Sequence, residues 1–205
     1  QAGRRPEDVR LVAVSKTFPQ THIDAAVEVG LSDLGENRVQ EALQKIAQST
    51  ELQIRWHLIG HLQGNKARHA AAAFDWIHSV DSLTLLRRID RVASDQGTAP
   101  RLLVQVDLAG EAAKHGASPD ETRRLLDAAP SCRAATVRGL MVMPPWSDDA
   151  EQARPYFRRL RGLRDELVTD GIDARVVREL SMGMSHDFEV AIQEGATMVR
   201  VGTAI

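Results

Sequence analysis

The chain has 205 residues, 43% hydrophobic and 26% charged, with a formal net charge of -2. This length suits one large domain, the composition excludes a disordered chain, and no apolar run approaches the roughly 18 residues that span a bilayer. Nearly balanced charge supplies no field for nucleic acid or an anionic membrane. The one cysteine, Cys132, can form neither an internal disulfide nor a cysteine metal site. The polar start, QAGRRPEDVR, holds no signal-peptide core, and these features together predict a cytoplasmic protein.

Short apolar runs alternate with longer amphipathic ones. Leu11 to Ser15 reads as a parallel strand buried on both faces. A helix follows, with Ile23, Ala26 and Val27 on one face and Gly30 as its stop. Ser32 to Glu36 is a second strand, and Val39, Ala42, Leu43 and Ile46 recur behind it at helical spacing. Arg55 to Ile59 is the third strand and Lys66 to Ala73 a short helix. Asp75 to Ser79 is the fourth, followed by a helix with Leu83, Leu86, Ile89 and Ala93 on one face.

The second half repeats the scheme. Leu102 to Val106 is a strand, and Ser118-Pro119-Asp120-Glu121 opens a helix as a capping box with proline at its first position. Val137 to Val142 is the sixth strand. Asp148 to Thr169 is the longest helix, burying Ala153, Tyr156, Phe157, Leu160, Leu163 and Leu167. Val176 to Leu180 is the seventh strand, then a helix uses Phe188, Ala191 and Ile192, and Thr197 to Val201 is the eighth strand. Strand–helix alternation through eight strands predicts an α/β fold, a single (β/α)8 barrel over residues 1–205. Lacking a covering helix after the eighth strand, the barrel is expected to be trimmed at both termini. An open doubly wound sheet is the alternative, but no GxGxxG follows the first strand.

Barrel chemistry sits at the C-terminal strand ends. Those positions include Lys16, Glu36-Asn37, Gly60-His61, Ser79-Asp81, Asp107, Met143-Pro144, Ser181-Met182-Gly183 and Arg200-Val201-Gly202. Lys16 is one of four lysines; the other three, Lys45, Lys66 and Lys114, fall on helices or loops where a solvated ammonium is ordinary. At the end of an apolar strand Lys16 loses hydration, which favours a neutral, nucleophilic amine; snorkelling out of the strand is the bland alternative. Arg200 lies within an apolar strand and needs a partner. Gly202 allows close approach of a ligand, and the amides after it can bind an anion. Ser181 and Ser185 lie at a strand end and a helix start, where phosphate binds, although Ser185, like Asn37, reads equally well as a helix N-cap. His57 and His61 are four apart on a strand, which is no metal pair, so no metal site is expected. Gly60-x-x-x-Gly64-Asn65-Lys66 lacks the P-loop spacing. Cys132 reads as structural.

The segments LVAVSKTFP, LGENRVQEAL, WHLIGHLQGNK, HSVDS, RGLMVMPP, LSMGMSHDFEVAI and MVRVGTAI, in order from about Arg10 to Ile205, resemble the pyridoxal phosphate homeostasis protein family. The resemblance implies a barrel like the N-terminal domain of alanine racemase, holding pyridoxal 5'-phosphate (PLP) as an internal aldimine. It assigns Lys16 to the PLP-binding lysine, Asn37 to a place near the ring and Arg200 to the pyridine nitrogen. Gly202 and Thr203, with Ser181 and Ser185, are assigned to the phosphate. It further implies a non-catalytic protein, mostly monomeric, that buffers PLP or delivers it to apo-PLP enzymes. A small PLP-dependent amino-acid racemase is the alternative. Racemisation needs acid–base groups on both faces of the α-carbon, and the sole tyrosine, Tyr156, falls on a buried helix stripe. A third reading, a phosphate-binding barrel enzyme without PLP, leaves Lys16 unexplained.

Overall fold

The computed structural model describes residues 2–110 and 115–205; Lys114 lies outside the described residues. Eight parallel strands close in sequential order. They are β1 (Arg10–Val14), β2 (Asp33–Glu36), β3 (Arg55–Leu58), β4 (Trp76–Val80), β5 (Arg101–Gln105), β6 (Thr136–Met141), β7 (Glu179–Met184) and β8 (Met198–Val201). Closure is made by β8 against β1, in register from Arg10 opposite Met198 to Ala13 opposite Val201. The crossover helices are α1 (Gln20–Glu28), α2 (Val39–Gln48), α3 (Ala67–Ala73), α4 (Leu83–Gln96), α5 (Pro119–Ala128), α6 (Arg154–Thr169) and α7 (Phe188–Gln193).

Local chemistry sets several boundaries. Ser118 accepts from the Glu121 amide and the Glu121 carboxylate accepts from the Ser118 amide, completing the expected capping box of α5. The longest helix begins at Arg154 rather than Asp148. Pro155 in its first turn fixes the start, and Ala150–Ala153 forms a separate 3-10 turn before it. Ala153, Phe157, Leu160 and Leu167 are buried as expected, while Tyr156 and Leu163 are half-buried.

The seventh strand is the main correction. It runs from Glu179 to Met184, not from Val176 to Leu180. Val177 is fully buried yet lies in the turn leading to β7. The strand itself carries Ser181, which meets a polar region of the barrel interior, and Gly183, which packs closely against α7. A search for continuous apolar runs misses such a strand.

The interior is layered, as alternate strand residues point inward. Trp76, Leu103, Met141 and Met198 form a lower apolar cluster, separate from the main core between barrel and helices. Above it stand polar side chains from neighbouring strands, including His78, Ser181 and Arg200, all buried. That polar layer is the floor of the site.

Candidate functional site

A cavity of about 580 Å³ opens at the C-terminal strand ends. Lys16, Asn37, Ser185, Arg200, Gly202 and Thr203 all line it. Ser181 does not. A second cavity, about 680 Å³, lies outside the barrel against β1, β8 and α7, and contains none of these residues.

Lys16 stands just past β1 and is exposed at the cavity mouth. The dehydration expected of a lysine at a buried strand end is therefore absent, since the side chain leaves the strand towards water. The fold fixes its flanks instead. Thr17, a β-branched residue, is held at a φ of 66°, a conformation that costs roughly 1–3 kcal/mol. The Thr17 amide donates to Glu41 Oε1 at 2.7 Å. On the other side, Lys45 Nζ donates to the Ser15 carbonyl at 2.7 Å and to Glu36 Oε1 at 2.7 Å, and Ser15 Oγ donates to the same Glu36 oxygen. Lys45 is thus no solvated lysine. It is buried, and it ties α2 to the backbone beside Lys16.

Asn37 reaches the cavity from the end of β2, but it does not cap α2. The N-cap is Arg38, and no side chain caps that end. Gly60 passes so close to Asn37 that a β-carbon there would lie 2.3 Å from the Asn37 carbonyl oxygen. Only glycine lets the chain leave β3 at this wall.

At the opposite wall, the Gly202 amide donates to Ser185 Oγ at 3.0 Å. A β-carbon on Gly202 would lie 3.2 Å from Val14 Cβ, so this glycine fits tightly against β1. Ser185 is not an N-cap either: Asp187 occupies that position of α7 and accepts from the Met184 amide at 2.6 Å. Thr203 is exposed beside Gly202.

Arg200 is buried in the floor. Its Nη1 donates to Ser181 Oγ at 2.6 Å and its Nη2 to the Val142 carbonyl at 3.0 Å. Among the described residues no carboxylate lies within salt-bridge distance of it. Burial lowers its pKa to about 10, opposed by Asp187, which leaves it cationic at neutral pH. Ser181, expected at a strand end, is fully buried within β7, where it joins Arg200 to His78. The two serines therefore occupy different places, Ser185 at the cavity wall and Ser181 beneath it.

His61, Met143, Trp146, Met184 and His186 also line the cavity. Of these, His61 and Met143 were legible as strand-end positions. Trp146, 71% exposed, gave no periodic signal because it lies in a loop. His61, Asp81 and His115 bring one ligand atom each within 4.8 Å of one another. The two imidazoles, however, are stacked 3.5 Å apart and 9° from parallel. Their in-plane lone pairs run side by side and do not converge on one ion. Cys132 is half-buried, and burial with Asp90 nearby pushes its thiol up to about 11, as suits an inert cysteine.

Fold and site together define a closed parallel barrel with a lysine at its mouth, an amide–hydroxyl cup at its wall and an arginine buried in the floor beneath them. Residues 2–205 match the family model described as alanine racemase, N-terminal domain. The chain is 42% identical over its whole length to the pyridoxal phosphate homeostasis protein of Aquifex aeolicus, covering 89% of that protein. It is 37% identical to that of Escherichia coli K12, covering 88%. The structure of PipY of Synechococcus elongatus PCC7942 with PLP bound superposes with a TM-score of 0.91 at 42% identity, over 99% of this chain and 94% of that one. Alanine racemase of Clostridium difficile 630, 15% identical with a TM-score of 0.78, shares the fold. The chain belongs to the pyridoxal phosphate homeostasis protein family. Among the described residues no helix is long and apolar enough to cross a membrane.

Proposed function

We propose that this protein binds PLP in the strand-end cavity and serves intracellular PLP homeostasis by holding, buffering or delivering the cofactor without turning over a substrate. The observation that carries this reading is the convergence of Lys16, Arg200 and the Ser185–Gly202–Thr203 cup on one cavity of about 580 Å³, within the size range of cofactor sites. The donor set fits the group: an amine for an aldehyde, a guanidinium for an aromatic nitrogen, and an amide and hydroxyls for a phosphate. Bound PLP supplies an aldehyde carbon that an amine can attack and a ring that can act as an electron sink.

The chain's own residues set the rest. Lys16 offers its amine from a backbone pinned by Lys45, Glu36 and Glu41. Arg200, cationic and without a carboxylate partner among the described residues, disfavours a proton on a nitrogen placed beside it. Ser185, Gly202 and Thr203 hold the phosphate, Asn37 stands near the ring, and Ser181 serves Arg200 from below. The sole tyrosine, Tyr156, lies half-buried on α6 and does not line the cavity; this supports a carrier over a racemase, which needs a second acid–base group. We further propose a single barrel domain spanning residues 1–205, monomeric and cytoplasmic, with apo-PLP enzymes as recipients.

Borohydride treatment of the PLP-loaded protein should fix the cofactor on the peptide containing Lys16, and pyridoxal should bind at least tenfold more weakly than PLP. Losing one hydrogen bond to a charged group costs about 1.5–3 kcal/mol, or one to two decades. The loaded protein should transfer PLP to an apo-enzyme and show no α-proton exchange with amino acids in deuterium oxide. Attachment at another lysine defeats the site assignment. Lys16-dependent exchange at about 1–10³ per second restores the racemase.

A further inference from the structure

Two motifs are left without a role by PLP binding: Trp56-His57-Leu58 and Ile77-His78-Ser79. Both histidines are fully buried inside the barrel, where an imidazole is a costly core residue unless its nitrogens are engaged. Here all four nitrogens are. His57 Nε2 lies 2.9 Å from Asp33 Oδ1, and His57 Nδ1 lies 2.9 Å from His78 Nε2. His78 Nδ1 lies 2.9 Å from Ser181 Oγ, which accepts from Arg200 Nη1 at 2.6 Å. An unbroken chain therefore runs from the start of β2, at the barrel floor, up to the cavity.

Its direction follows from its lower end. Asp33 accepts from Arg55 Nε at 2.9 Å and from Arg55 Nη2 at 2.5 Å. Although burial opposes ionisation, hydrogen bonds from His57 and Arg55 hold its carboxyl far below the usual range. Asp33 is an acceptor only, so His57 Nε2 carries a proton. Burial keeps both histidines neutral: at His57 it outweighs the opposing pull of Asp33 and Asp75, with Arg10 adding to it, and at His78 the neighbouring His57, Arg200 and Arg10 act in the same direction. A neutral His57 with its proton on Nε2 accepts at Nδ1, so His78 donates from Nε2 and accepts at Nδ1. Ser181 must then donate to His78 and accept from Arg200. Every donor has one acceptor, and all the bonds point from the cation to the carboxylate. Trp76 keeps the register by stacking on His57, with centroids 5.8 Å apart and planes 4° from parallel.

We propose that Asp33, His57, His78 and Ser181 are positioning residues: a one-way hydrogen-bond relay that anchors Arg200 as an oriented cation and thereby sets the protonation of the ring nitrogen it faces. The ring consequence rests on the PLP reading; the relay itself does not. Nitrogen NMR of the imidazoles in protein free of PLP tests the relay alone. Both histidines should be neutral at pH 7 with the proton on Nε2; a proton on Nδ1 of either, or a charged ring, overturns it.

The second arm uses PLP-loaded protein and reads the pH titration of the bound cofactor's absorption. His78→Gln can still accept from Ser181 and donate to His57, and should titrate like the parent. His78→Leu breaks the chain and should raise the cofactor's proton-binding midpoint by one unit or more, a tenfold change. Ser181→Ala, which severs Arg200 from the relay with a smaller packing change, should give the same shift and replaces His78→Leu if that variant does not fold. An unshifted midpoint in a broken-chain variant whose Lys16 still captures PLP overturns the coupling while leaving the cofactor reading intact. Failure of the parent to capture PLP at Lys16 overturns the cofactor reading and with it the ring consequence, while the NMR arm still decides the relay.

Discussion

Lys45 and Glu36 form a buried ion pair beneath the Lys16 segment, and its removal has a calculable signature. Their side chains are 10% and 0% exposed, with 2.7 Å between Nζ and Oε1. Breaking such a pair by removing one partner costs about 3–5 kcal/mol, whereas replacing both with apolar groups of similar volume is often nearly neutral. Two contacts soften the loss of Glu36. Lys45 retains Glu41 at 3.1 Å and the Ser15 carbonyl, which places Glu36→Leu near the lower bound, about 3 kcal/mol. Lys45→Met leaves the Glu36 carboxylate with the neutral Ser15 hydroxyl in place of a cation, its Oε2 already lacking a partner, and should cost at least as much. For a chain of this size 3 kcal/mol lowers Tm by about 6–12 °C. The double variant should fall no further than the worse single, a coupling of about 3 kcal/mol. Urea unfolding followed by tryptophan fluorescence measures all four corners of the cycle. Lys45→Met should also weaken PLP capture, because it frees the Ser15 carbonyl next to Lys16. Additive single effects, or singles below about 1 kcal/mol, would refute the reasoning.

Two glycines should respond oppositely to alanine. Gly183 has a φ of 94°, and a β-carbon there would lie 2.5 Å from Ala191 Cβ, so Gly183→Ala should cost more than about 1 kcal/mol. Gly162, inside α6 with nothing within 4 Å of such a carbon, should gain about 0.5–1 kcal/mol as alanine; thermal melts of the two variants check both signs. Stability should also fall as pH drops below about 6.5, because burial depresses both His57 and His78 from the ordinary 6.5. The unfolded chain takes up protons that the folded chain refuses, so the contribution is full above that pH and is lost below it. Two groups give a slope of up to about 2.7 kcal/mol per pH unit. Urea unfolding between pH 7 and 5 measures this slope, and a flat profile contradicts neutral buried histidines.

The barrel was legible because its outer layer obeys simple periodicities. Seven strands fall close to their apolar runs, and the Ser118 capping box is local chemistry written in four residues. The seventh strand escapes such a reading because Ser181 faces a polar interior and Gly183 lies tight against α7, whereas strand prediction from apolar runs assumes two greasy faces. Residue type also misled at Lys45. A lysine on a helix is normally solvated, and only the long-range placement of Glu36 and Ser15 shows otherwise. The lining role of Lys16, Asn37, Ser185, Arg200, Gly202 and Thr203 follows from strand-end position. The division of labour between Ser181 and Ser185 does not, since it depends on which side of the strand end each hydroxyl falls. The relay through His57 and His78 is invisible in the sequence for a similar reason: its hydrogen-bonded neighbours lie up to 103 residues apart.

The placement of charge bears on why such a site should hold PLP without consuming it. A carboxylate facing the ring nitrogen would favour its protonation and strengthen the electron sink. Here Arg200 is held by a serine hydroxyl and a backbone carbonyl, and Asp33, the carboxylate that ends the relay, is paired with Arg55 at the far end of the barrel. Its influence arrives only through neutral hydrogen bonds, which orient Arg200 without supplying it with a proton acceptor at the ring. At the mouth, by contrast, Lys16 is exposed and Trp146 is largely solvated. A ring held weakly activated below, beside an amine that water and other amines can reach above, suits reversible capture better than carbanion chemistry. On the proposed reading, restraint comes from the buried cation and reversible capture from the exposed amine.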